Sequence, residues 1–174
     1  MKRSKNIISL ITLICLSYFL YRASYLYPKW ENQYTEATLS WDVFGYYLYL
    51  PATFVYDDLA NLKFKDQVFE IYRPAGDFHH AVEQPDGKMV MKYPIGMSIL
   101  YFPSFLMGHL YAHLSNYPVD GFSWPYQFFI HMGSILYAVL GLILLRKILL
   151  RYYSDLVTAL TLGIIVLATN YFNY

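Results

Sequence analysis

Apolar and polar residues alternate along this chain in blocks. Long apolar runs occupy residues 7–27, 124–145 and 156–171. Each is read as a membrane-spanning helix, because a bilayer core takes roughly 20 apolar residues in helical form. A fourth run, residues 94–114, is weaker: it starts at Pro94 and contains Pro103, His109 and His113. It is expected either to lie in the outer leaflet or to make a fourth span. Between the first run and this one lies a polar insert, residues 28–93. Inside it, residues 41–56 read as a helix on the membrane surface, interrupted or begun again at Pro51. "RPAGDF" and "QPDGK" are turn signals, since Pro presets one dihedral and Gly takes the positive one. "FHHAVE" and "KMVMKY" flank the second turn, which predicts a short hairpin. The expected fold class is therefore an all-α integral membrane protein. It has about three transmembrane helices plus an interfacial or fourth spanning helix. A long external loop separates the first two hydrophobic segments.

Charge orients this scheme. Lys2, Arg3 and Lys5 lie in residues 1–6, ahead of the first apolar run. That run is longer than a signal-peptide core, and no A-x-A-like site follows it, so it is read as an uncleaved span. The positive-inside rule makes residues 1–6 a cytoplasmic stub. Tyr21, Tyr25, Tyr27 and Trp30 form an aromatic belt at the far end, where Arg22 and Lys29 can snorkel. The insert holds ten of the twelve acidic residues but six of the thirteen basic ones, which suits a non-cytoplasmic loop. Arg146, Lys147 and Arg151 lie in residues 146–155, and the same rule wants that turn in the cytoplasm. Three spans satisfy it, and four do not. The expected site is the bacterial cytoplasmic (inner) membrane, with several passes and the N-terminus inside. The chain closes on "ATNYFNY", on the side of the insert, and is expected to be cut short.

Composition agrees with the block pattern. The chain is 57% hydrophobic and 14% charged over 174 residues, against about 25% charged in ordinary soluble domains. Its one cysteine, Cys15, rules out a disulfide within the chain. Gly-rich phosphate loops, Ser/His/Asp sets and nucleic-acid-binding patches are absent from the sequence.

The candidate chemistry lies in the insert. Asp42 is flanked by Trp41, Phe44, Tyr46 and Tyr47. Aromatic surroundings that strip water from a carboxylate raise its pKa, which suits a general base. Equally, Ser40 or Asp42 can cap a helix. Asp57 and Asp58 offer oxygen ligands to a divalent cation or mark a solvated turn. Lys92, before "YPIG", can hold a lipid phosphate or snorkel. His79, His80 and Glu83 are metal-ligand types without the rest of a zinc set. No metal is assigned with Asp57, Asp58, His79 and His80 as the weak candidates. His109 and His113 share a helix face, and His131 opens the third apolar run.

"WDVFGYYLYLPA", "MKYPIGMSILYFPSF" and "TNYFNY" resemble the N-terminal part of GT-C superfamily polytopic glycosyltransferases. The similarity is to the protein O-mannosyltransferase and aminoarabinose transferase group, in membrane proteins of Bacteroidetes-type bacteria. It covers nearly the whole chain, through short motifs. The resemblance implies an inverting transferase that takes a sugar from a polyprenyl-phosphate carrier on the non-cytoplasmic face. The acceptor is a glycan, lipid or protein. Asp42 matches the acidic residue of the family's first external loop, the catalytic base or acceptor-positioning group. Lys92 matches a lysine that contacts the carrier phosphate, with Tyr93 standing where that motif has a proline. Trp41, Tyr46 and Tyr47 would line the substrate. The expected partners are the bilayer, the lipid-linked donor and an acceptor, with no tightly bound cofactor and no nucleic acid. On this expectation the 174 residues are an N-terminal fragment, inactive alone. The alternatives are a small non-enzymatic scaffold or subunit and, more remotely, part of a transporter.

Overall fold

The structure, a computed structural model, describes residues 6–172. It is mostly helical, with seven α-helices and one two-stranded sheet among the described residues. The helices are α1 (Ile7–Leu26), α2 (Trp41–Tyr47), α3 (Tyr49–Phe54), α4 (Lys65–Tyr72), α5 (Gly96–His113), α6 (Trp124–Leu149) and α7 (Asp155–Leu167). Two compact units divide the chain. One joins the residues up to Tyr27 with those from Ser134 onward, and the other is Pro28–Gly133.

In the first unit, α1 buries Leu13, Leu16 and Leu20, the three-and-four spacing of one helix face. They cluster with Leu142, Leu162 and Val166. The opposite faces remain apolar: Ile11, Ile14, Leu144, Leu160 and Ile164 are exposed. A helix apolar on every side belongs in lipid or in a large core. α1 and α6, 20 and 26 residues long, are long and apolar enough to cross a bilayer.

α7 differs from the expected span over 156–171. It has 13 residues and stops at Leu167, before a 3-10 turn at Asn170–Phe172. Beyond the stop, Thr169 Oγ1 donates to the Ile165 carbonyl at 2.5 Å and accepts from Tyr171 N at 3.2 Å. α6 instead runs past the expected limit at 145, ending with Arg146 and Lys147 in its last turn, where cations suit the dipole.

The α1 start and the α6–α7 turn are tied together. Asp155 accepts from Ile8 N at 2.8 Å and Ser9 N at 3.0 Å, satisfying two free N–H groups of α1. Arg146 donates through Nε to Ser9 Oγ at 2.9 Å and through Nη2 to the Asn6 carbonyl at 2.7 Å.

The second unit holds the polar insert, α5 and the start of α6 around an aromatic core. Phe44 stacks on Phe122 at 5.6 Å, and Tyr47 and Phe105 are fully buried beside them. The surface helix breaks at Leu48, ahead of the expected Pro51. Pro51 has no N–H, so the chain restarts with Pro51 in the first turn of α3, where none is needed. The expected hairpin is present: β1 (Ala81–Glu83) pairs antiparallel with β2 (Met89–Met91), Val82 opposite Val90. Gly87, with φ of 80°, takes the turn. α5 turns Tyr101, Phe105, Gly108 and Ala112 inward and leaves Ile99, Leu106 and Leu110 exposed. Gly108 is needed there, because a Cβ would meet the Tyr126 backbone at 3.1 Å.

Candidate functional site

The hairpin brings His80 and Tyr93 back beside α2, since Lys92 N donates to the His80 carbonyl at 3.0 Å. α2 opens on an unusual residue. Trp41 has φ of 50°, a left-handed conformation that bulky side chains rarely adopt. Both its backbone polar groups are held. Trp41 N donates to the Pro74 carbonyl at 2.9 Å, and His80 Nε2 lies 3.1 Å from the Trp41 carbonyl. A carbonyl only accepts, so Nε2 carries the proton and Nδ1 is bare. His80 is fully buried, and Nδ1 has no hydrogen-bond partner. Phe44 packs edge-on against the ring at 4.9 Å, and His79 stacks on it at 4.2 Å. Burial above all, then the neighbouring His79, lowers the His80 pKa to about 4. The ring is thus a neutral strut fixing the residue before Asp42.

Asp42 lies in the first turn of α2 and is exposed. The expected desolvation of its carboxylate is therefore not found: the helix turns Phe44 and Tyr47 to the core and Asp42 to solvent. Ser40 is not a side-chain cap either, because its hydroxyl donates to the Ala37 carbonyl at 2.7 Å. What Asp42 has instead is Tyr93, whose hydroxyl donates to Asp42 Oδ1 at 2.6 Å. That bond, followed by burial, raises the Tyr93 pKa to about 12, so Tyr93 stays a donor across the physiological range. The Tyr93 ring packs edge-on to Tyr46 at 4.8 Å, and its carbonyl accepts from the Tyr49 hydroxyl at 2.7 Å. Ser98 Oγ donates to the Tyr46 carbonyl. Gly45 makes the approach possible, since a Cβ there would strike the Tyr93 ring and sit 3.0 Å from His80 Cδ2.

Lys92 is exposed and makes no ion pair among the described residues. Trp41, 52% exposed, and the half-buried Tyr46 are available at the same surface. Tyr47 is not available for substrate, and neither is Phe44, which flanks Asp42 in the sequence. Three-residue spacing on α2 sends both inward, to zero exposure. Tyr47 donates to the Gly121 carbonyl at 2.6 Å, and burial pushes its pKa up.

The weak metal candidates are not brought together. Asp58 accepts from Lys63 N at 2.7 Å and from Asn61 N and Nδ2 at 3.1 Å, a loop-closing role. The Lys63 backbone bond leads in holding its pKa low. Asp57 is exposed, with φ of 48°. His79 Nδ1 pairs with Asp77 at 3.1 Å, His80 is committed to Trp41, and Glu83 is exposed on β1. Among the described residues no three His, Cys, Asp or Glu side chains are grouped to hold a metal ion. His109 and His113 do meet, with Nε2 atoms 3.2 Å apart, and His109 Nδ1 lies 2.7 Å from the Tyr126 hydroxyl. His131 packs against Trp30 at 4.9 Å.

Two polar anchors have no motif in the sequence. Asp120 accepts from Phe122 N at 2.8 Å, from Ser123 N at 2.9 Å and from the Tyr72 hydroxyl. Gln127 Oε1 accepts from Leu39 N at 2.7 Å. The sequence signal for Asp120 is the Asp-Gly pair at 120–121, which marks a turn.

Chemically, the site offers one open carboxylate. Oδ1 is held by Tyr93, and Oδ2 has no partner among the described residues. An ammonium group follows one residue before the tyrosine. No family model, curated protein or solved structure matches this chain.

Proposed function

We propose that the chain carries the acceptor-activating part of a membrane glycosyltransferase. The enzyme moves a sugar from a polyprenyl-phosphate carrier to a glycan, lipid or protein acceptor on the non-cytoplasmic face. The observation that carries this reading is the solvent-open Asp42 carboxylate with Tyr93 on Oδ1 at 2.6 Å. The acceptor hydroxyl approaches Oδ2. Its oxygen forms a bond to the anomeric carbon while the bond from that carbon to the phosphate oxygen breaks. The proton goes to Asp42, and the leaving lipid phosphate keeps the electron pair. A positioned base of this kind is worth about 10²–10⁴-fold in rate. Tyr93 fixes the carboxylate, and the Lys92 ammonium offsets charge on the departing phosphate. Trp41 and Tyr46 supply aromatic surface to the substrate.

The proposed topology has the N-terminus in the cytoplasm of a bacterial inner-membrane protein and the insert outside. It rests on the ties from Arg146 and Asp155 to the start of α1. If α1 crosses outward from that end, α6 must cross back to it, and α5 then adds no crossing of its own. The exposed apolar face of α5 supports a place in the outer leaflet, with α7 returning outward. The experiment is Asp42→Asn at its chromosomal position, read as sugar transfer from the lipid-linked donor in isolated membranes. Transfer is expected to be lost while the protein remains inserted. Undiminished transfer overturns the assignment and leaves the scaffold reading in its place.

A further inference from the structure

The second unit contains a cleft of about 320 Å³ that Asp42 does not line, at the small end of ligand-binding cavities. Its aromatic lining includes Tyr34, Tyr72 and Trp124, and its polar lining includes Glu31, Gln33 and Gln127. Each contributor is held differently. Trp124 stacks on Phe128 at 5.1 Å and on Tyr117 at 5.6 Å, which fixes its indole plane. Tyr72 is anchored through its hydroxyl to Asp120. Gln127 is buried, with Oε1 on Leu39 N and Nε2 donating to the Phe122 carbonyl at 3.0 Å. Tyr34 is 47% exposed and held at φ of 58°. Left-handed conformations of bulky residues concentrate at ligand sites.

The chemistry of this lining selects among ligands. No lysine or arginine lines the cleft, and the Arg73 guanidinium lies over the Tyr34 ring, 5.4 Å from its centroid. An anionic ligand such as a phosphate or a nucleotide meets the Glu31 carboxylate in the wall, and the Arg73 guanidinium is engaged by the Tyr34 ring. A purely apolar ligand would bury Glu31 and Gln33 without hydrogen bonds, at a cost. A ring with an apolar face and a hydroxylated edge matches both halves, with aromatic side chains for the apolar part and amide and carboxylate groups for the hydroxyls.

From this we infer that the cleft bounded by Tyr34, Trp124, Glu31 and Gln33 binds a neutral saccharide at a site separate from Asp42. The site stands whether or not Asp42 is a base. A transferase would use it to hold the body of a glycan, while a scaffold would use it to hold a wall or surface polysaccharide.

The test uses the whole chain in a detergent free of sugar and choline groups. The probes are chitotetraose, cellotetraose and α-1,2-mannotetraose, each read by saturation-transfer NMR. Choline chloride and inorganic phosphate serve as competing probes. At least one tetrasaccharide is expected to receive saturation from the wild type. Tyr34→Gly removes the ring at a residue whose backbone glycine tolerates, and Gln33→Ala trims an exposed amide. Each is expected to weaken binding, Tyr34→Gly by roughly tenfold, about one ring contact. Asp86→Asn, in the exposed hairpin turn and lining neither site, is expected to bind as the wild type does. Absence of transfer to all three sugars overturns the inference. So does binding that neither variant weakens, or binding of choline or phosphate alone.

Discussion

Acidification should loosen the Asp42 site through His80 before it affects most of the fold. The perturbation is a change from pH 7 to pH 4. His80 has a folded-state pKa lowered from 6.5 to about 4, chiefly by burial. A depressed pKa means that the unfolded chain binds the proton more readily. The contribution of neutral His80 is therefore complete above pH 6.5 and is lost as pH falls toward 4. At about 1.4 kcal/mol per unit, the loss over that window is roughly 3 kcal/mol. The control is His80→Gln, which can still donate to the Trp41 carbonyl but does not titrate. His79, Asp42 and Lys92 are the ionisable neighbours of the ring, and all three are present in both proteins. The assay is urea unfolding of the whole chain in detergent, followed by tryptophan fluorescence. All three tryptophans, at positions 30, 41 and 124, lie in Pro28–Gly133 and report that unit. The wild type should lose more stability than His80→Gln between pH 7 and pH 4. Equal losses would refute a neutral buried strut.

Three further outcomes follow from the geometry. Gly45→Ala should push the Tyr93 ring off Asp42 and cost about 1–3 kcal/mol in the same unfolding assay, the usual range for overpacking; an unchanged midpoint would contradict the contact. Tyr93, followed by ring-labelled tyrosine NMR, should titrate near pH 12 and move back toward 10 in Asp42→Asn. Its raised pKa stabilises the fold below pH 10, and that contribution disappears as pH climbs through 12. Ser154→Cys, in a Cys15→Ser background because Cys15 is the free cysteine, should resist a membrane-impermeant thiol reagent in intact cells. Labelling there would require a fourth span.

Periodicity and charge made much of this architecture legible. The helices at 7–26 and 124–149, the hairpin turn at Gly87 and the break in the surface helix all follow from local rules that need no tertiary contact. What the sequence hid is mostly a matter of which side a residue faces. "WDVFGYY" names seven residues of similar interfacial character, and only helical phase against a core decides that Phe44 and Tyr47 are inside while Asp42 is outside. The partner of Asp42 lies 51 residues away, through a hairpin and a strained backbone at Trp41, and no spacing rule connects them. His80 looked like half of a metal pair, yet it holds a carbonyl. α7 ends at Leu167, short of the apolar run, and hydropathy does not register that stop.

The central claim is that the Asp42 carboxylate takes the acceptor proton. Its most direct test is the turnover of polyprenyl-phosphate sugar in membranes from cells carrying Asp42→Asn, followed by lipid mass spectrometry beside wild-type membranes. Turnover is expected to fall by about 10²–10⁴-fold, with the unused donor accumulating and the variant present at wild-type levels. Turnover at the wild-type rate, with the variant correctly inserted, would contradict it.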